Sequence, residues 1–196
     1  MSDENDLLER LRAVGALKEG HFLLASGRHS DRYVEKFDLL RQPVTTSQVC
    51  RAYADRFRGE RIDVVVGPTT GGVILAFEVA RQLGVAAAYA ERRADGAPGR
   101  EFRRGTTFSQ GQRIVVVDDI LTTGGSVRET LAALAAQPVE VVAVAVLVDR
   151  SGGRVTFDVP LVALTTLDVA TWEADGCPLC EAGMPLVKPG TTTTPA

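Results

Sequence analysis

The chain of 196 residues has the length of one ordinary domain, and its hydrophobic fraction of 45% and charged fraction of 24% are typical of a globular protein. Its formal net charge of -3 provides no general attraction to nucleic acid or to an anionic membrane. No apolar stretch reaches the roughly 18 residues that cross a bilayer, and residues 1–6 are acidic, unlike a signal peptide. We therefore expect a cytoplasmic protein with no nucleic-acid partner and no membrane partner.

The first third of the chain predicts two helices with a mixed segment between them. Apolar side chains at helical spacing predict a helix over residues 6–17, with Gly20 just beyond it as a stop. Residues 20–43 are rich in Ser, Gly, Arg and His and are expected to form the strands and loops of a cap. A second helical pattern begins at Thr45 and ends before Gly59.

Beyond Arg61 the chain alternates continuous apolar runs with helical patterns. Runs without a polar face are typical of strands covered on both sides, as in parallel sheets with crossover helices. This alternation predicts the α/β class. The runs and helical patterns span residues 62–66, 72–83, 85–89, 114–117, 126–136 and 139–148.

Two segments lack this alternation. Residues 91–107 are rich in Arg, Gly, Asp and Pro, which favours a mobile surface loop or a loose hairpin with solvated arginines. Residues 188–196 contain no apolar anchor, so we expect a disordered tail.

The strongest motif is the apolar run Val115–Val117 followed by Asp118, Asp119 and a turn rich in hydroxyl groups and glycine. A buried strand would deliver the two carboxylates to its C-terminal edge, where open α/β sheets bind ligands. The following helix would offer free N–H groups to an anion. The turn residues predicted to hold a phosphate are Thr122, Thr123, Gly124, Gly125 and Ser126. A strand-to-helix turn with two capping acids is the alternative.

The stretch from Val115 to Ser126 resembles the phosphoribosyl pyrophosphate signature of the type I phosphoribosyltransferases. The resemblance implies a central parallel sheet flanked by helices, with a small N-terminal hood. It assigns Asp118 and Asp119 to the ribose hydroxyls and residues 122–126 to the 5′-phosphate. It also implies a single domain over 1–187, with the hood mainly in 1–43 and the core in about 44–170.

A second segment resembles the pyrophosphate loop of this family and also follows an apolar strand. It comprises Thr69, Thr70, Gly71 and Gly72. A plain strand-to-helix turn is the alternative.

In the arginine-rich segment, Arg92 and Arg93 are the candidates to balance charge on the leaving pyrophosphate. An RNA contact by these arginines is a weaker alternative.

Two segments resemble the orotate members of the family. Residues 20–30 are similar to the hood of the orotate enzymes. The similarity implies that Ser26 and Gly27 contact orotate, together with Thr122. The segment 147–151 implies that Arg150 faces the orotate carboxylate, although a surface ion pair with a nearby aspartate is also open.

The resemblance implies Mg²⁺ as cofactor, phosphoribosyl pyrophosphate and orotate as substrates, and a homodimer. No side chain is assigned as a direct Mg²⁺ ligand.

The chain departs from many orotate enzymes at positions where those enzymes carry lysine. Ala25 and Thr70 occupy two such positions, and the arginine-rich segment contains no lysine. A transferase for a purine or another base, and a non-catalytic regulator that responds to nucleotides, therefore stay open.

Cys177 and Cys180 have the spacing of a pair of metal ligands. His21 and His29 lie far from them along the chain, so the sequence favours a structural turn, with metal binding as the alternative.

Overall fold

A computed structural model describes residues 3–24 and 26–189, with the side chains of the first helix from Leu7 onward. The chain begins with helix α1 (Asp3–Ala13), strands β1 (Leu17–Leu23) and β2 (His29–Val34), and helices α2 (Lys36–Leu40) and α3 (Pro43–Phe57). Strands β1 and β2 pair antiparallel and form most of the hood.

The central part alternates strands and helices as predicted. It contains β3 (Val64–Pro68), α4 (Gly71–Leu83), β4 (Ala86–Arg92), β5 (Arg100–Glu101), β6 (Gln112–Leu121), α5 (Gly125–Ala135), β7 (Val139–Asp149) and β8 (Leu161–Thr166). These strands form one sheet in the order β5-β4-β3-β6-β7-β8. Every pair is parallel except β4 with β5. The α/β prediction is confirmed.

The sheet is covered on both faces, which explains why its strands lack a polar side. On one face Val65 and Val115 pack with side chains from α3 and α4. On the other face Val66 and Val116 pack with Leu134 of α5. Because the parallel strands point the same way, the carboxyl ends of β3, β4, β6 and β7 meet at one edge, and the loops that follow them lie together there.

The C-terminal part of the chain returns to the hood. The sequence did not predict this return. Strand β9 (Thr171–Trp172) pairs with β2, so the hood sheet has the order β1-β2-β9. A 3₁₀ turn (Ala174–Gly176) and the short helix α6 (Pro178–Glu181) follow. Strand β8 was also absent from the predicted elements.

The first helix ends earlier than predicted. Gly15 has a φ of 70°, a left-handed conformation that ends the helix, and Leu17 already belongs to β1. Gly20 is therefore not the stop but a residue inside β1. The pairing of Leu17 with Val34 in the hood sheet explains why the helical pattern does not continue.

Part of the remaining predictions lies outside the described residues. This applies to Ala25 and to most of the predicted tail, since the described chain ends at Pro189. Among the residues that are described, no helix has the length and apolarity to cross a bilayer.

Candidate active site

The end of β6 brings Asp118 and Asp119 to the edge of the sheet, as the sequence predicted. Both residues are buried, with exposures of 7% and 3%. The backbone N–H of Asp119 donates to Asp118 Oδ1 at 2.9 Å, and that of Ile120 donates to Asp119 Oδ1 at 2.7 Å. These hydrogen bonds hold the two carboxylates in fixed orientations beside each other.

Lys36 contacts Asp119 and was not identified from the sequence. Its Nζ lies 3.1 Å from Asp119 Oδ1 and 3.0 Å from Oδ2. Lys36 begins α2, 83 positions earlier in the chain, so no local pattern could have indicated the pairing. The hood thus contributes a cation to the acidic pair.

Burial and, to a smaller extent, the neighbouring charge of Asp119 raise the pKa of Asp118 from 3.8 to about 7, although the backbone N–H of Asp119, Lys36 and Arg100 act in the opposite direction. Two adjacent carboxylates with one counter-ion disfavour full ionisation. A bound ligand that brings more positive charge would favour the ionised form of Asp118.

The turn after β6 forms a cradle that brings together the residues predicted to hold a phosphate. A small cavity of about 60 Å³ is lined by Asp118 and by the residues of the turn, including Thr122, Thr123, Gly124, Gly125 and Ser126. Gly124 has a φ of 78°, and a Cβ there would lie 2.8 Å from Val155 Cγ1. The backbone therefore requires glycine at this position, and the N-terminus of α5 stays open to an anion.

The loop after β3 lies directly against the acidic pair. The Thr69–Thr70 peptide bond is cis. A Cβ on Gly71 would fall 1.9 Å from Asp119 Oδ2, and one on Gly72 would fall 2.6 Å from Pro68 Cδ. The two glycines are thus needed for close approach, and the predicted pyrophosphate loop is in contact with the predicted ribose site.

A larger cavity of about 470 Å³ opens between this loop, the hood and the hairpin of β4 and β5. Cationic side chains predominate among its lining residues, which are Lys36, Phe37, Thr69, Thr70, Glu91, Arg92, Arg100, Arg103 and Ser126. Such a surface fits a ligand with several negative charges.

The two candidate arginines lie in different surroundings. Arg92 lines the larger cavity. Arg93 instead donates from Nη2 to Asp95 Oδ2 at 2.5 Å, within the hairpin. In this conformation the charge of Arg92 is available to a ligand, whereas that of Arg93 is paired.

The expectation that each arginine of this segment is solvated was wrong for Arg100. Its side chain is 3% exposed and lies 3.3 Å from the carboxylate of Glu129. It also donates to Thr69 Oγ1 at 3.0 Å. The antiparallel pairing of β4 with β5 places Arg100 opposite Arg92, and Arg100 lines the larger cavity from there.

Arg150 follows β7, next to the start of the cradle. Its backbone N–H donates to Leu121 O at 2.8 Å. Burial lowers the pKa of the guanidinium, and Tyr33 nearby acts in the opposite direction. Its Nε is buried and has no hydrogen-bond acceptor among the described residues. Among the described residues Arg150 forms no ion pair with Asp149 or Asp168, the alternative that the sequence left open, and Asp149 Oδ1 instead accepts from Ser151 N at 2.7 Å.

Ser26 and Gly27 lie in the exposed turn between β1 and β2 and do not line either cavity. Their turn is connected to the C-terminal part, since Arg28 Nη2 donates to Thr171 O at 2.9 Å. The structure therefore does not bring these two residues together with the acidic pair.

Comparison with known proteins agrees with this geometry. Residues 38–178 match the phosphoribosyl transferase domain family. An orotate phosphoribosyltransferase of Caldanaerobacter subterraneus subsp. tengcongensis is 44% identical over 188 residues, which cover 96% of this chain and 97% of that protein. One from a Methylobacterium species is 48% identical over 194 residues, 97% of each chain.

Solved structures agree as well. The crystal structure of orotate phosphoribosyltransferase from Aeropyrum pernix is similar at a TM-score of 0.69 and 30% identity, over 82% of this chain and 93% of that one. The matched residues contain both loops and the acidic pair. The chain therefore belongs to the type I phosphoribosyltransferase family.

Proposed function

We propose that the protein is an orotate phosphoribosyltransferase, which transfers ribose 5-phosphate from phosphoribosyl pyrophosphate to orotate and releases pyrophosphate. The observation that carries the choice of orotate is Arg150, whose buried Nε has no acceptor among the described residues. A planar guanidinium fork matches a carboxylate. The relatives named above, which are orotate enzymes over nearly the full chain, support the same choice.

The donor substrate would lie across the two loops. Its 5′-phosphate would accept hydrogen bonds from the N-terminus of α5 and from the hydroxyls of Thr122, Thr123 and Ser126. Asp118 and Asp119 would accept from the ribose hydroxyls. The pyrophosphate would extend toward the loop of residues 69–72 and the cationic cavity, where Arg92 balances its charge.

In the reaction the bond from the anomeric carbon to the pyrophosphate oxygen breaks, and a bond from that carbon to a ring nitrogen of orotate forms. The proton of that nitrogen is released to the departing pyrophosphate or to solvent. Positive charge develops on the ribose as the leaving group departs. The ionised forms of Asp118 and Asp119 stabilise this charge, and Lys36 keeps Asp119 oriented through their ion pair.

The residues present fit Mg²⁺ as cofactor. Hard oxygen donors suit this cation, and two buried carboxylates stand beside the cavity that would hold the pyrophosphate oxygens. When bound, Mg²⁺ would supply positive charge that neutralises the pyrophosphate as a leaving group. Because Asp119 is already paired with Lys36, we assign no side chain as a direct ligand.

The proposal includes a homodimer in the cytoplasm. Val44 of α3 and Phe77 of α4 are exposed at 72% and 65%, and burial of these side chains between two subunits would remove apolar surface from water. Light scattering coupled to size exclusion measures the assembly, and a monomer at working concentrations would contradict it.

The decisive experiment follows the absorbance of orotate when purified protein, phosphoribosyl pyrophosphate and Mg²⁺ are mixed, with a parallel panel of purine and pyrimidine bases. Turnover of orotate alone is expected. Turnover only with another base would assign the protein to that base, and silence with every base would favour a non-catalytic regulator. The double variant Asp118→Asn with Asp119→Asn should be inactive but folded.

A further inference from the structure

Four potential metal ligands meet beside the hood, away from the residues of the candidate active site. His21 comes from β1, His29 from β2, and Cys177 and Cys180 from the C-terminal segment that contains α6. One ligand atom from each residue lies within 4.8 Å of those of the other three. His21, His29 and Cys177 are buried, and Cys180 is exposed.

The separations between the ligand atoms are close to those of a tetrahedral zinc site. Zinc bonds of about 2.0 Å to nitrogen and about 2.3 Å to sulfur place two ligand atoms about 3.3 to 3.8 Å apart. His21 Nε2 lies 2.9 Å from His29 Nδ1, 3.5 Å from Cys177 Sγ and 3.7 Å from Cys180 Sγ. Cys180 Sγ lies 3.3 Å from His29 Nδ1. A small adjustment of the histidine rings would admit the ion.

A hydrogen bond fixes the tautomer of His21 and leaves Nε2 free to bind a metal. His21 Nδ1 lies 2.9 Å from the carbonyl oxygen of Met184. A carbonyl can only accept, so Nδ1 carries the proton, and in the neutral ring Nε2 presents a lone pair to the cluster. Metal-bound histidines usually donate their other N–H to such an acceptor.

Hydrogen bonding within the cluster does not account for this convergence. The lone pair of His21 Nε2 can accept one good hydrogen bond, yet His29 Nδ1 and both sulfur atoms surround it. Both cysteines are free thiols rather than a disulfide. A cation accepts lone pairs from all four groups at once.

Apolar side chains near the described end of the C-terminal segment are only partly covered by the hood. Met184, Leu186 and Val187 are exposed at 42%, 44% and 51%. Two backbone hydrogen bonds connect it to β1, from Leu23 N to Val187 O and from Val187 N to His21 O, each 2.8 Å long. A metal would connect this segment to both strands of the hood.

We propose that His21, His29, Cys177 and Cys180 bind one Zn²⁺ ion, which holds the C-terminal segment on the hood. Two thiolates and two imidazoles form a donor set that selects zinc over Mg²⁺. Because the protein supplies all four ligands, the site is structural. The sequence favoured a turn because the histidines are distant along the chain, but the fold removes that distance. The proposal is independent of the transferase reaction.

The test begins with the metal content of the full chain, purified under reducing conditions from zinc-supplemented cells and dialysed against a weak chelator. Elemental analysis should find about one zinc per chain. The apo-protein should bind Co²⁺ in equal amount and develop the visible bands of tetrahedral cobalt with thiolate ligands. This titration needs no variant, so a folding defect cannot obscure it.

Variants locate the site. Cys180→Ser and His29→Ala should lose most of the zinc and the cobalt bands, whereas Cys50→Ala should keep both, since Cys50 lies in the hydrophobic core away from the cluster. Zinc-free protein that also fails to bind Co²⁺ would overturn the proposal. Undiminished binding by Cys180→Ser and His29→Ala would do the same, as would a disulfide between Cys177 and Cys180 in the purified protein.

Discussion

The carboxylate of Asp119 packs against the backbone of Gly71, so that a Cβ at position 71 would fall 1.9 Å from Oδ2. The same carboxylate is paired with Lys36 of the hood. Asp119 thus connects three segments that are remote in sequence: the end of β6, the loop after β3 and the start of α2. Its position depends on all three.

Gly71→Ala should therefore reduce activity without unfolding the chain. The added methyl group must displace the Asp119 carboxylate, and a misplacement of about 1 Å at a reacting centre lowers the rate by about 100-fold. We expect a loss of that order in kcat/KM for orotate. Gly59→Ala is the matched control, because a Cβ there meets nothing within 4 Å. Equal activity of the two variants would contradict the assigned role of Asp119.

Asp118→Asn should increase stability at alkaline pH while it removes activity. The pKa of Asp118 is raised from 3.8 to about 7 in the folded chain. Between these pH values the folded state holds a proton that the unfolded state releases, so the contribution of Asp118 to the free energy of unfolding falls as the pH rises through the folded pKa. Asparagine cannot ionise and avoids this loss.

Urea unfolding at two pH values measures the effect. We expect the variant to exceed the wild type by more than about 1 kcal/mol at about pH 8, and by less at about pH 5. Asp158→Asn, at an exposed position, serves as control. A stability difference that does not depend on pH would mean that Asp118 titrates normally.

Lys36→Met should shift the pH dependence of turnover. Lys36 lowers the pKa of Asp118, so its removal raises that pKa and reduces the fraction of ionised Asp118 at neutral pH. The acid limb of the kcat/KM profile should move to higher pH, with a loss of about tenfold near neutrality for each pKa unit. Lys18→Met is a suitable control, since Lys18 pairs with Asp38 outside the cavity. An unmoved acid limb would contradict the coupling.

Arg150→Lys should weaken orotate binding selectively. Lysine keeps the charge but loses the two-pronged contact with a carboxylate. We expect the KM for orotate to rise by about 10- to 100-fold, while the KM for phosphoribosyl pyrophosphate changes by less than about threefold. The control is Arg154→Lys, which alters an exposed arginine a few residues away. Parallel changes in both KM values would argue against an orotate contact.

The sequence by itself determined the features that depend on neighbouring residues. Buried valines followed by Asp118, Asp119 and the glycine-containing turn predicted the strand, the acidic edge and the start of the next helix, because strand, turn and helix start are set by local geometry. The loop after β3 was predicted for the same reason. The α/β class followed from runs that lack a polar face.

Only the tertiary structure decided which distant residues meet. Lys36 reaches Asp119 across 83 positions, and Cys177 reaches His21 across 156, because β1 and β2 pair and the chain returns to them through β9. The burial of Arg100 beside Arg92 in the larger cavity likewise follows from the pairing of β4 with β5. Such contacts arise from the packing of whole elements, and no periodicity within one segment encodes them.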